Sequence, residues 1–302
     1  MTQSTLTQGM EGFDMADGSA LVAKDVEQEM PAPKARKKAD KKAKSAKAKA
    51  RAYKPRKFKV DLWATDFNTA EIGIMKRTQN EASSDQFTKD MELFGQTVID
   101  GKREALIGYR KELWDENKDF ERRLVIKLFS ESLSWRGTIE MLVGRSLQLT
   151  RGSGVAVPAF SINLARHAQL IEVERCARKW PFMPETFTFF LQTKSGPQFY
   201  TLKRRILCFG QDFNIYDQQN RCIGQLDQKL INLGGAWIVR LDPKHTSKKL
   251  EATLELVCAM LKFNRKCRGH IGELSGKVRR GKIAPKLSHR ERDLYYNPRS
   301  KR

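Results

Sequence analysis

Residues 246–268 read Thr-Ser-Lys-Lys-Leu-Glu-Ala-Thr-Leu-Glu-Leu-Val-Cys-Ala-Met-Leu-Lys-Phe-Asn-Arg-Lys-Cys-Arg. From Ala252 to Phe263 the only charges are Glu255 and Lys262. At the helical period, Leu250, Leu254, Val257, Cys258 and Leu261 fill one face, and Leu256, Ala259, Met260 and Phe263 fill much of the other. A helix that is apolar nearly all round is buried on every side. About 12 apolar residues are too few to cross a bilayer, which needs roughly 20. Something in the same chain must therefore enclose this helix. A closed sheet can do so, because it has no open edge and shelters what it surrounds. Glu255 is the awkward member. A buried unpaired carboxylate is costly, so it is expected at a barrel mouth or beside an arginine.

The residues before the helix supply the sheet. Leu124–Phe129, Ile139–Leu149, Val155–Ile162, Ala168–Val173 and Thr186–Leu191 are short apolar segments separated by Gly and Pro. Such spacing suggests a sandwich or barrel, with helix as the alternative reading for 124–149. The clearest strands follow at 199–209, 213–217, 221–226, 229–233 and 236–241, with Gln218-Gln219-Asn220 and Gly234-Gly235 as turns. Upstream, the pattern of Phe87, Met91, Leu93 and Phe94, and that of Leu106, Tyr109, Leu113 and Trp114, predict helices after Ser83 or Ser84 and over 102–119. Residues 58–82 have no clear period.

The run Asp212-Phe-Asn-Ile-Tyr-Asp217, then Ile223-Gly224, then Trp237-Ile-Val, then the apolar helix, resembles the second half of the phospholipid scramblase domain. It is also similar to the plant LURP-one-related domain, and both belong to the tubby C-terminal-like superfamily. In that family an apolar-x-Ile-x-Asp strand leads to a Gly and a Lys, and a hydrophobic helix threads a closed twelve-stranded barrel. The matching residues here are Ile215, Asp217, Gly224 and Lys229. The resemblance is carried by 199–263 and extended over 122–198 by size and strand count alone. It implies a mainly β fold with helices, a tubby-like closed β-barrel around a central buried C-terminal helix. The expected organisation is then a disordered tail over 1–57, a helical lead-in over 58–121, the barrel over 122–268 with its helix at 246–268, and a basic tail over 269–302. Tubby proteins hold phosphoinositides on basic residues of the barrel wall. Lys203, Arg204 and Arg205 are comparable in kind, without a residue-level motif, and an outward charged edge against strand pairing explains them equally. The scramblase calcium segment and membrane span have no counterpart here, so calcium binding and lipid scrambling are not carried over.

Charge is segregated. The net charge is +22, yet residues 58–261 carry only +4. Residues 1–33 carry −5, residues 34–57 carry +12, and residues 262–302 carry +11. The 34–57 block is Lys/Ala-rich, similar in composition to the tails of linker histones and bacterial histone-like proteins. Its low hydrophobicity and like charges predict disorder. It offers Arg36, Lys37, Lys38, Lys41, Lys42, Lys44, Lys47, Lys49 and Arg51, and the C-terminal segment offers Arg279 and Arg280. These residues, with the 203–205 triplet, are the candidate polyanion contacts, for nucleic acid or an anionic phospholipid, with a protein partner also open. A solubilising extension is the bland alternative.

Catalytic signatures are sparse. Gly152-Ser153-Gly154 lacks the lysine and helix of a phosphate loop. Cys267-Arg-Gly-His270 is half of a zinc site, which Cys176, His167 or His289 would have to complete. His245 reads as a surface or capping residue. No metal and no cofactor is expected, and the function class is a non-enzymatic binding or scaffold protein. The competing class is a hydrolase-type enzyme with its site in the barrel mouth. The five cysteines have no disulfide spacing and read as mostly buried thiols of a reducing compartment. No secretory leader and no transmembrane segment are legible. A cytoplasmic location follows, with nucleoid, nucleus or inner membrane surface as variants. The oligomeric state is left open.

Overall fold

The computed structural model describes residues 55–63, 84–177, 183–193, 196–206, 210–229 and 235–296. The expectations for the tail at 1–54, including Arg36 through Arg51, fall outside them. Among the described residues are twelve strands: β1 (Arg56–Leu62), β2 (Met91–Ile99), β3 (Lys102–Arg110), β4 (Val125–Phe129), β5 (Trp135–Met141), β6 (Ala159–Leu164), β7 (Leu170–Arg175), β8 (Thr186–Thr193), β9 (Gly196–Arg204), β10 (Phe213–Tyr216), β11 (Cys222–Lys229) and β12 (Ala236–Leu241). Each pairs antiparallel with its neighbours in sequence, and β1 pairs with β12, Phe58 opposite Val239, to close the barrel. Three helices accompany them: α1 (Val143–Ser153), α2 (Lys248–Arg279) and α3 (His289–Tyr296).

The barrel encloses the first half of α2. Leu250, Leu254, Leu256, Val257, Cys258, Ala259 and Met260 are completely buried, and they share one core with inward residues such as Val60, Ile107, Ile162, Leu202 and Val239. Burying one such side chain contributes roughly 1.5–3 kcal/mol, so the helix and wall stabilise each other strongly. Ser247 caps α2, its hydroxyl accepting from the Leu250 N–H at 3.1 Å. The helix is 32 residues long, about 48 Å at 1.5 Å per residue. That exceeds the barrel, and residues 264–279 emerge at the far mouth beside α1 and the turn Asp119–Glu121.

Three expectations are corrected. The helical lead-in is β-structure: β1, β2 and β3 are part of the barrel, which begins at Arg56 and not at 122. The expected helix over 102–119 is β3 followed by a single π-helical turn at Glu112–Glu116. The helical periods misled in β2 and β3 because these two strands are covered on both faces and do not alternate, whereas β1 does alternate from Lys57 to Leu62. Outside the barrel, Met91, Leu93, Leu106, Phe129 and Leu133 form a second apolar cluster. Phe87 lies over it, 5.0 Å from the Phe129 ring, and Lys127 donates to the Gln86 carbonyl beside it at 2.7 Å. Second, 139–149 is strand only to Met141, and α1 follows. Third, the segment 269–302 is not simply a tail. Its first eleven residues continue α2, and α3 folds back.

The return of α3 is specific. The Glu291 carboxylate accepts from the backbone N–H groups of Gly144 at 2.9 Å and Arg145 at 2.7 Å. It thereby caps α1, whose own N-cap, Leu142, has no side-chain acceptor to offer. Arg290 also pairs with the buried Glu140 at 2.9 Å.

Candidate polyanion interface

The four residues that carried the sequence resemblance serve mainly to shape the wall. Ile215 is fully buried in the core. Asp217 binds the β10–β11 turn, accepting from the N–H groups of Gln219 at 3.0 Å and Arg221 at 2.9 Å and from the Arg221 guanidinium at 2.7 Å. Burial would raise its pKa, but these bonds and the Arg221 charge hold it below the usual carboxylate range. Gly224 lies where a Cβ would come within 2.5 Å of the Arg240 carbonyl, so only glycine lets β11 and β12 pair there. Lys229, at the end of β11, is exposed.

The side chains of the sequence-proposed triplet are placed differently. Lys203 points outward, 5.0 Å above the Tyr216 ring and 3.3 Å from Asn220 Oδ1. Arg204 turns to the Gly210 carbonyl at 3.0 Å, and Arg205 lies beyond the strand end. The edge-protection explanation loses its basis, because β9 is paired on both sides by β8 and β10.

Register aligns Lys203 with residues that the sequence did not single out. Lys57 is opposite Arg240, Arg240 opposite Gln225, Gln225 opposite Asn214, and Asn214 opposite Lys203. These residues lie in one outward row across five strands, about 19 Å at strand spacing. Arg240 is ion-paired with Asp227, and Lys59 with Asp61 at 2.9 Å. Lys57 is exposed at the start of β1, beside a groove of about 700 Å³ lined by Arg56, Phe58, Lys59, Asp100 and Thr246. Period-2 alternation across correctly paired strands would have revealed this row.

At the opposite mouth, Arg279 and Arg280 are exposed at the end of α2. Arg265 and Lys266 are exposed on its emergent half. Here the chain also holds a buried ion pair, Arg175 Nε to Glu185 Oε1 at 2.6 Å, with Asn264 donating to the same oxygen at 3.1 Å. Burial acts to raise the Glu185 pKa, but the bonds and charges of these partners bring it below its ordinary value. This cluster fastens the helix to the rim.

Inside the barrel, Glu255 is completely buried, with Arg136 Nη2 at 3.9 Å. The arginine that the sequence called for is present. The buried Thr97 hydroxyl is a polar neighbour of Glu255 on the wall, and the two do not reach good hydrogen-bond geometry. Burial pushes this carboxyl up to about 7, against the pull of Arg136.

His270 and Cys267 are buried on α2, and His270 meets the Trp114 ring edge at a centroid distance of 6.2 Å. Among the described residues no group of three or more His, Cys, Asp or Glu side chains is placed to hold a metal ion. Of the four described cysteines, Cys176 and Cys222 are exposed and Cys258 and Cys267 buried, so the expectation of mostly buried thiols holds for half of them. No described helix is long and apolar enough to cross a membrane.

The class defined so far is a twelve-stranded closed antiparallel barrel threaded by a helix, an architecture consistent with the tubby and LURP-one-related fold. Compared with family models, characterised proteins and solved structures, the chain matches none.

Proposed function

We propose that this protein is a non-enzymatic binding or scaffold module that attaches to an anionic partner through basic segments that flank a tubby-like barrel in the sequence. One observation carries the reading. The excess charge sits at +12 in residues 34–57 and +11 in residues 262–302, while 58–261 is close to neutral at +4. A barrel closed around its own helix supports it as a rigid platform.

The partner is nucleic acid or an acidic phospholipid surface, two polyanions distinguishable by experiment. For the N-terminal run, composition favours nucleic acid. Ten of its thirteen cations are lysines, and residues 34–52 contain only alanine as apolar filler. Membrane-seeking segments combine charge with an apolar insert or lipid anchor. A location on the cytoplasmic side, with nucleoid, nucleus or inner membrane surface as variants, accompanies this reading. The test is binding to duplex DNA and to phosphatidylserine vesicles over a salt series, for the full chain and for a truncation beginning at Tyr53. The cut falls there because β1 starts at Arg56, and removal of 1–57 would open the barrel. Loss of affinity in the truncation supports the reading. Unchanged affinity for both targets assigns the run to solubility.

A further inference from the structure

The geometry points to a second nucleic-acid contact, on the emergent half of α2: an arginine-flanked helix face that seats the phosphate backbone of a duplex. This assignment rests on the polyanion reading above and adds to it a surface and a commitment to double-stranded nucleic acid.

Past Phe263 the helix buries Cys267, His270, Ile271, Leu274 and Val278 on one side. At 100° per residue, the opposite side carries Arg265, Gly269, Gly272, Gly276 and Arg280, with Lys266 and Arg279 along its margins. Arg265, Lys266, Arg279, Arg280 and the following Lys282 are exposed and make no ion pair among the described residues. The acid on this side, Glu273, is neutralised by Lys277 at 2.8 Å. The face is therefore strongly and persistently cationic.

Charge alone would suit any polyanion. Four further features bear on the choice and together favour a duplex. Arginine predominates, and its planar fork matches phosphate oxygens in a bidentate manner. The exposed large apolar side chains among the described residues are Met183, Phe190 and Ile206, none of them on this helix, so the face has no group to insert into a bilayer. Nor does it expose an aromatic ring on which single-stranded bases could stack. The glycines complete the argument. A Cβ at Gly269 would meet nothing within 4 Å, and at Gly272 only Ala156 at an ordinary 3.9 Å. Packing within the chain does not require glycine at either position, although glycine is a poor helix former. Their bare backbone lets a phosphodiester chain approach closely between two cationic ends. From Arg265 to Arg279 the helix rises about 21 Å, which is about six base-pair rises along a duplex axis.

The test uses the full chain, a 24-base-pair duplex of arbitrary sequence, phosphatidylserine vesicles and a salt series. Each double variant, Arg265→Ala with Lys266→Ala, and Arg279→Ala with Arg280→Ala, is expected to weaken duplex binding several-fold and reduce the log–log salt slope by about 1 to 2. Gly269→Leu adds bulk at a position where the first added carbon meets nothing of the chain. It is expected to preserve or raise the melting temperature and to lower duplex affinity at least about fivefold, a loss that a purely structural glycine would not produce. Wild-type duplex affinity in all three variants, with loss only on deleting residues 1–52, overturns this assignment and leaves the broader polyanion reading intact. Loss of vesicle binding without loss of duplex binding overturns it in favour of lipid. Failure of the unaltered chain to bind either target overturns both readings.

Discussion

Glu255 and Arg136 face each other inside the barrel, with Arg136 Nη2 3.9 Å from Glu255 Oε1. The carboxylate is wholly buried, while the guanidinium reaches toward the entry mouth, where α2 begins. At that distance the arginine offsets only part of the desolvation of the acid. Glu251, one turn earlier, carries a negative charge that also opposes ionisation of Glu255, although Arg56 pairs with it at 3.1 Å. The barrel thus encloses an acid that is best accommodated neutral.

A pH dependence of stability follows. The folded-state carboxyl titrates at about 7, above its ordinary 4.5. Between those values the folded chain binds more protons than the unfolded one, so this group's contribution falls as pH rises through the window and stays low above it. Glu255→Gln is expected to match the parent near pH 4.5 and to exceed it by up to about 3 kcal/mol at pH 8. Denaturant melts across pH 4–8 measure the difference. A gap that is constant with pH would contradict the buried, neutral-favouring site.

The threading of α2 predicts a large cost for removing its side chains. Leu254→Ala or Leu261→Ala should destabilise the chain by roughly 2–5 kcal/mol through lost transfer energy and the cavity left behind. Equilibrium denaturation gives the value. An effect below about 1 kcal/mol is incompatible with these residues lying in the barrel's core.

Gly224→Ala tests the wall itself. The added methyl would sit 2.5 Å from the Arg240 carbonyl and 2.8 Å from Leu241 Cδ2. Backbone cannot yield as a side-chain tip does, so β11 and β12 must separate. The expected loss is about 1–3 kcal/mol, read in the same denaturation experiment. A variant as stable as its parent would place the strands in another register.

The α3 fold-back is testable amide by amide. Glu291→Ala is expected to cost about 1 kcal/mol, as for loss of an N-cap. Hydrogen exchange should accelerate at Gly144 and Arg145, whose N–H groups lose their acceptor, and remain unchanged in β8–β9. Uniform acceleration across the chain would indicate a global role instead.

The unequal legibility of the chain has physical causes. The buried helix was readable because apolar residues on all sides have no other soluble explanation. Strands β9, β10 and β12 were readable because their outer face is wet, which leaves alternation and polar turns in the sequence. Strand β11, one strand over Cys222–Lys229, reads instead as two, 221–226 and 229–233, the second lying beyond Lys229 outside the described residues. Strands β1 to β3 were not readable. A second apolar cluster covers the outer side of β2 and β3, so Leu93 and Leu106 interrupt the period-2 pattern that Phe94 and Ala105 would have marked, while β1 alternates but is a single short segment of seven residues. One signal was available: Asp100-Gly101, two residues between β2 and β3 with φ of 49° and 80°, is the sequence of a tight hairpin. The Glu291 cap was beyond reach, since its acceptor and donor are 147 residues apart in sequence. The candidate surface was visible only in part. Lys203 was named, but its alignment with Arg240 and Lys57 requires strand register, and the free face of α2 requires knowing where the helix leaves the barrel.

The most direct measurement compares the full chain with the truncation beginning at Tyr53 for binding to duplex DNA and to phosphatidylserine vesicles, from low to physiological salt. Residues 34–52 contribute ten cations. Their loss is expected to reduce the log–log salt slope by several units, at about 0.9 per phosphate neutralised on a duplex, and to leave the melting temperature of the barrel unchanged. Full affinity and an unchanged slope for both targets in the truncated chain would contradict the assignment of polyanion binding to this segment.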